Sequence, residues 1–379
     1  PPPSPPPSPP PNSCLERVGP RAVFSGPPRT SVSYSRHVGE YGGRCLCHDG
    51  TSYAAGALNN NCATLACYNG VSSGCERATG MWSHMNVTCR GCTFLRRADL
   101  RGADLFLADM EGVDLTEAVL DGADLRAVNL QRATLHRASL RGAKLHKADL
   151  AMADLTGALL EEAVAEEASF AGAVLDRANF TSALLRRAHL TELGSAEDVC
   201  FHGADFSGGT VVAASTLPRA DFSDANLEAA LLDDLSLTDA IFKGAFMQGL
   251  VITDSRLDGA SMAGTELSGI QMDHARMLNA DLRRVTMRGA ELVSVNFAGS
   301  DFRRADLSGS DLTGSTFDRA KLQRANLRGA DVTDVLMRSA QVHKTDFTDV
   351  IGIATVNMDG AKGAAIGLPK RTVITGWAG

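Results

Sequence analysis

From residue 93 to about residue 350 the chain repeats every five residues, and that period constrains the fold more than any other feature. In RADLRGADLFLADMEGVDL, residues 97–115, Ala98, Ala103 and Ala108 recur at one position, and Leu100, Leu105, Met110 and Leu115 recur two residues later. If the large apolar residue is taken as the centre of each unit, 18 of the 19 centres from 100 to 190 are Leu, Met or Phe, and Ala165 is the exception. The residue two before the centre is Ala in 17 of those 19 units, with Val113 and Val128 in the others. From 222 to 347 all 26 centres are Leu, Phe, Met, Ile or Val. A repeat this long decides the architecture before local propensities are weighed.

A helix places apolar residues 3.6 apart and a strand alternates them, so a strict period of five fits neither. It fits a chain that turns a corner once per unit. The small residue and the centre, two apart, share one side of a short extended segment, and the polar remainder suits a turn and an outer surface. Four units close a square of about 20 residues, and squares stack at the ~4.8 Å strand spacing, so about 13 of them give a rod roughly 60 Å long. Centres keep one register to Leu190 and another from Phe222. Two single-residue insertions within 191–219, passing through Phe201 and Phe206, account for the slip and predict a bulge or corner loop there.

The unit Ala-Asp-Leu-x-x (Ala98-Asp99-Leu100, Ala103-Asp104-Leu105, Ala123-Asp124-Leu125, Ala305-Asp306-Leu307) resembles that of the pentapeptide-repeat proteins. The resemblance implies an all-β, right-handed quadrilateral β-helix over about two thirds of the chain. It does not imply one function, because the family hosts unrelated roles.

The sequence divides into a Pro-rich tail and connector (1–30), a cysteine-rich module (31–92), the repeat (93–350) and a C-terminal cap or assembly segment (351–379) that loses the five-residue rhythm. The tail opens PPPSPPPSPPP, a polyproline II segment. It is similar to hydroxyproline-rich wall glycoproteins of plants and green algae, which makes Pro1, Pro2, Pro3, Ser4, Pro5, Pro6, Pro7, Ser8, Pro9, Pro10 and Pro11 candidates for hydroxylation or O-glycans. Eight of nine cysteines precede the repeat: Cys14, Cys45, Cys47, Cys62, Cys67, Cys75, Cys89 and Cys92; Cys200 lies within it. A dense, even set reads as a disulfide framework in an oxidising compartment. Zinc held through Cys45-x-Cys47 and Cys89-x2-Cys92 is the rival. The sequons at Asn86 and Asn179 fit a secreted chain, with Asn179 expected to face outward.

The net charge of −7 gives no strong pull toward nucleic acid or membrane surfaces. No apolar run is long enough to span a bilayer. There is no nucleophile triad, phosphate loop or zinc-hydrolase helix, so neither catalysis nor a cofactor is expected. Residues 20 apart should stack, which predicts an alternating ladder of Arg101, Asp121, Arg141 and Glu161. It also predicts a like-charge ladder of Arg284, Arg304, Arg324 and Lys344, offset by Glu291, Asp311 and Asp331 on a different face or edge. The basic ladder is a candidate docking strip for an acidic partner such as the next subunit, and Trp377 marks a candidate adhesive end. The leading expectation is a secreted, self-assembling structural glycoprotein. The alternatives are a DNA-mimicking inhibitor, as some members of the resembled family are, or a soluble thylakoid-lumen protein.

Overall fold

The computed structural model describes residues 95–368, together with the backbone of two short strands, β1 (Arg44–Leu46) and β2 (Ser52–Ala54), which pair antiparallel. The tail Pro1–Pro11, the side chains of all eight N-terminal cysteines, Asn86 and Trp377 lie outside the described residues.

Residues 95–368 form an all-β parallel solenoid whose unit is five residues long. In the unit built on Leu100, Ala98 and Leu100 are buried while Asp99, Arg101 and Gly102 face out. The outward residue between the two buried ones bridges the next coil 20 residues on: Asp99 to Val119, then Ser139, then Leu159. Each bridge carries two backbone hydrogen bonds, as in Val119 N–H to Ala98 C=O (2.9 Å) and Leu100 N–H to Val119 C=O (2.7 Å).

The corner between units is a four-residue turn closed by bonds such as Ala103 N–H to Leu100 C=O (3.0 Å). Its third residue is left-handed, as type II turns require. Gly102 (φ 61°) meets this demand freely, whereas Leu107 (φ 59°), Glu117 (φ 57°) and Arg132 (φ 57°) adopt it despite a Cβ. Their N–H groups are recruited by the coil above, for example Leu107 N–H to Arg126 C=O at 3.0 Å, which offsets the steric cost. The Asp of the repeat serves the same corner: carboxylates of Asp114, Asp154 and Asp311 accept from the backbone N–H two residues on at 3.0, 2.9 and 2.9 Å.

The core is the column of inward Ala and Leu, supplemented by rings. Phe180, Phe201, Phe222 and Phe242 stack one per coil with centroids 5.2, 5.1 and 5.1 Å apart, and Phe297, Phe302 and Phe317 form a second cluster. The expected slips appear as lengthened coils. Spacing is 21 at Val174–Ser195, 22 at His189–Val211, 21 at Cys200–Asp221 and 20 again at Asp221–Ile241. On one face the bridges widen into a five-stranded parallel sheet: β3 (His189–Thr191), β4 (Val211–Thr216), β5 (Leu231–Ser236), β6 (Val251–Thr253) and β7 (Gln271–Asp273).

The coil also runs past residue 350. After a 3-10 turn at Ile353–Thr355, Val356 and Met358 are fully buried, and Asn357, Lys362 and Ile366 continue the bridges. The rhythm breaks there because the turn adds one residue, making the spacing 21 at Leu336–Asn357.

Some inward small positions hold a hydroxyl. Ser300 is inserted into the turn below it, accepting from Ala280 N–H (3.0 Å) and donating to Met277 C=O (2.5 Å). Ser300→Ala lets that turn close directly and should cost under about 1 kcal/mol. Ser300→Val both overpacks the coil and blocks the bond, with an expected cost of about 1–3 kcal/mol. Urea unfolding of the two variants checks the order.

Candidate binding surface

The most distinctive charge pattern outside the core is at one corner of the last third of the rod. Arg284, Arg304, Arg324 and Lys344 each take the left-handed turn position (φ 58°, 64°, 63° and 58°), one in each of four successive coils. Backbone bonds tie the corners in series: Arg284 N–H to Arg303 C=O (3.1 Å), Arg304 N–H to Gln323 C=O (3.1 Å) and Arg324 N–H to His343 C=O (3.0 Å). All four residues are exposed, and none makes an ion pair among the described residues. The expected ladder is therefore present as a row of cations.

The adjacent carboxylates do not neutralise it because they are already engaged. Arg283 and Arg303, one residue earlier in their turns, fork onto Asp281 and Asp301, each with a closest contact of 2.6 Å. Burial works to raise the Asp301 carboxyl, but the side-chain and backbone hydrogen bonds and the charge of Arg303, together with the charge of Lys321, outweigh it and hold the group below the usual carboxylate range. The expected counter-ladder lies on a different face, in the column Gln271–Glu291–Asp311–Asp331–Ile351. Two of its carboxylates are spent on their own turns: Asp311 accepts from Thr313 and Asp331 from Thr333, through both N–H (2.9 Å) and hydroxyl (2.6 Å).

The alternating ladder near the start forms only in part. Arg141 reaches Glu161 at 3.2 Å and its N–H donates to Asp121 at 3.1 Å. Arg101 pairs instead with Asp99, two residues back, at 3.3 Å. Asn179 occupies an outward position yet is only 5% exposed; its amide donates to Glu161 (3.0 Å) and accepts from Thr181 N–H (3.0 Å). A glycan there would require the bond to Glu161 to be given up. Cys200 is disulfide-bonded, with its partner outside the described residues.

Phe246 stands at an outward bridging position and is 67% exposed, at the edge of a groove of about 800 Å³. Its cue in the sequence is an aromatic residue between Ala245 and Met247, where most units place a polar one. No group of three or more His, Cys, Asp or Glu among the described residues has the arrangement to hold a metal ion, and no described helix is long and apolar enough to cross a membrane.

Comparison with known proteins places these coils in context. A sequence profile described as pentapeptide repeats matches eight times, at residues 93–122, 118–157, 153–191, 220–259, 251–289, 280–319, 290–329 and 315–351. No curated protein sequence matched the chain. Among solved structures, a trypsin-treated variant of QnrB1, a plasmid-mediated fluoroquinolone resistance protein, is 18% identical, covering 46% of this chain and 91% of its own, with a TM-score of 0.34. HetL, involved in heterocyst differentiation regulation in a Nostoc cyanobacterium, is 21% identical over 73% of this chain and 87% of its own (TM-score 0.20). A pentapeptide repeat protein from the Arabidopsis thaliana thylakoid lumen is 21% identical over 29% and 72%, respectively (TM-score 0.12).

Proposed function

Since the chain belongs to the pentapeptide-repeat family, we propose that it works as a rigid binding scaffold rather than a catalyst, docking an acidic partner along the corner from Arg284 to Lys344. The observation that carries this reading is the row of four exposed cations without carboxylate partners, held at fixed spacing by the backbone of successive coils. A flexible basic tail would have to order itself on binding, whereas these positions are already fixed. The rod's negative net charge sharpens the contrast between this corner and the rest of the surface. A nucleic-acid mimic would need the opposite sign here, and the acidic column ends at Ile351 after three rungs. Secretion, glycosylation of the tail and filament formation draw mainly on residues 1–92 and Trp377, outside the described residues, and form no part of this reading.

Fluorescence anisotropy with labelled polyglutamate at low salt tests it. The double variant R304E/R324E should bind about tenfold or more weakly than the parent. Reversal at a different corner, R137E/R177E, should leave most of the binding intact. Equal losses from both pairs would reduce the attraction to net charge and defeat the assignment.

A further inference from the structure

Phe246 sits at an opening in the backbone ladder. Below it Asn226 bridges Phe246, and above it Glu266 bridges Thr286, but no bridge joins Phe246 to Glu266 among the described residues. The spacing is the regular 20, and the same two coils are joined on their other three faces, at Ile241–Ser261, Val251–Gln271 and Arg256–Arg276. On one lip, Ala245 C=O and Met247 N–H have no backbone partner among the described residues; on the other, the same holds for the N–H and C=O of Glu266. The groove contains this opening and is lined by Asp224, Asn226, Glu228, Gln248 and Glu266 around the exposed ring.

Its electrostatics are one-sided. Glu228 makes no ion pair among the described residues, and the Asp224 carboxylate lies 3.9 Å from the His202 imidazole, an ion pair only when that ring is protonated. Glu266 accepts from Ser268 N–H at 3.1 Å and keeps acceptor capacity to spare. Arg288, one coil above, is held on Asp306 at 2.6 Å, although its charge also reaches Glu266. The chain shows elsewhere what completes such a set. Arg126 lies over the Phe106 ring at 5.1 Å while its guanidinium forks onto Asp124 through two 2.7 Å bonds. At Phe246 the ring and the carboxylates are present, open carbonyls are added, and no Lys or Arg among the described residues lines the groove.

We propose that the open rung at Phe246 is a recognition site for an arginine side chain carried on an extended segment of a partner protein. A guanidinium stacks on an exposed ring and presents planar donors to carboxylate and carbonyl oxygens together, which an ammonium does less well. The segment's own backbone has unpaired groups on both lips to bond. This site has the opposite charge preference to the basic corner and does not depend on it.

The test uses the full chain and three labelled peptides, Ser-Val-Arg-Val-Ser and its lysine and citrulline counterparts, titrated by fluorescence anisotropy. The arginine peptide should bind, the lysine peptide about fivefold or more weakly, and the citrulline peptide not measurably. F246A and E266Q, both at outward positions and compatible with folding, should each weaken the arginine peptide by about fivefold or more. Equal binding of all three peptides, no binding by the parent chain, or unchanged binding by F246A would overturn the proposal. So would self-association of the chain that F246A abolishes, since the occupant would then be a second copy.

Discussion

Phe222→Ala is expected to destabilise the rod by about 3–5 kcal/mol, the cost typical of deleting a fully buried ring. Phe222 is fully buried and packs against three others: Phe201 and Phe242 at 5.1 Å, and Phe206 at 5.7 Å. Removing it opens a cavity on the axis, where adjoining coils are fixed by backbone bridges and collapse poorly. Because each coil touches only its neighbours, the damage should also be local. Hydrogen exchange should show protection falling first in coils 201–242, while the Phe297–Phe302–Phe317 cluster stays protected until global unfolding. Uniform loss of protection would show that the rod unfolds as one unit.

Ala138→Glu should be comparably severe through different physics. Ala138 is fully buried, at an inward position between Ala118 and Ala158 of the adjoining coils, with no cation inside the column to pair a carboxylate. Burying an unpaired charge costs several kcal/mol, on the order of 3–5 by analogy with broken buried pairs, unless the group protonates. Burial raises its folded-state pKa above the unfolded value of roughly 4.3. The deficit should therefore be smallest below about pH 4 and grow as pH rises. Ala138→Leu, which only overpacks, should lose about 1–3 kcal/mol without that pH dependence. Urea unfolding of both variants at pH 4 and pH 7 separates the two causes, and a pH-independent deficit in the Glu variant would contradict full burial.

The inward pair of each unit, the 20-residue stacking and the two slips before Phe222 were all legible, because each follows directly from the spacing of Ala and Leu. The 3-10 turn at Ile353–Thr355 was not. One inserted residue among small side chains hides the resumption at Val356 and Met358. Charge partners were misjudged where two geometries compete. Spacing alone stacks Arg101 with Asp121, but a carboxylate two residues back captures the guanidinium in Asp-Leu-Arg, as it does at Arg126 and Arg283, and in Asp-Phe-Arg at Arg303. The same local capture occupies Asp281 and Asp301 beside Arg284 and Arg304, while Lys321 and Gln341 at the matching positions offer Arg324 and Lys344 no carboxylate, so the basic corner was visible and the reason for its persistence was not. The opening above Phe246 left no mark in a spacing that stays regular.

The basic corner is tested most directly by arginine footprinting with a dicarbonyl reagent, read by mass spectrometry with and without bound polyglutamate. Binding should protect Arg284, Arg304 and Arg324 together while leaving Arg137 and Arg177 as reactive as in the free chain. Equal protection of both sets, or protection confined to Arg137 and Arg177, would contradict a docking strip at this corner.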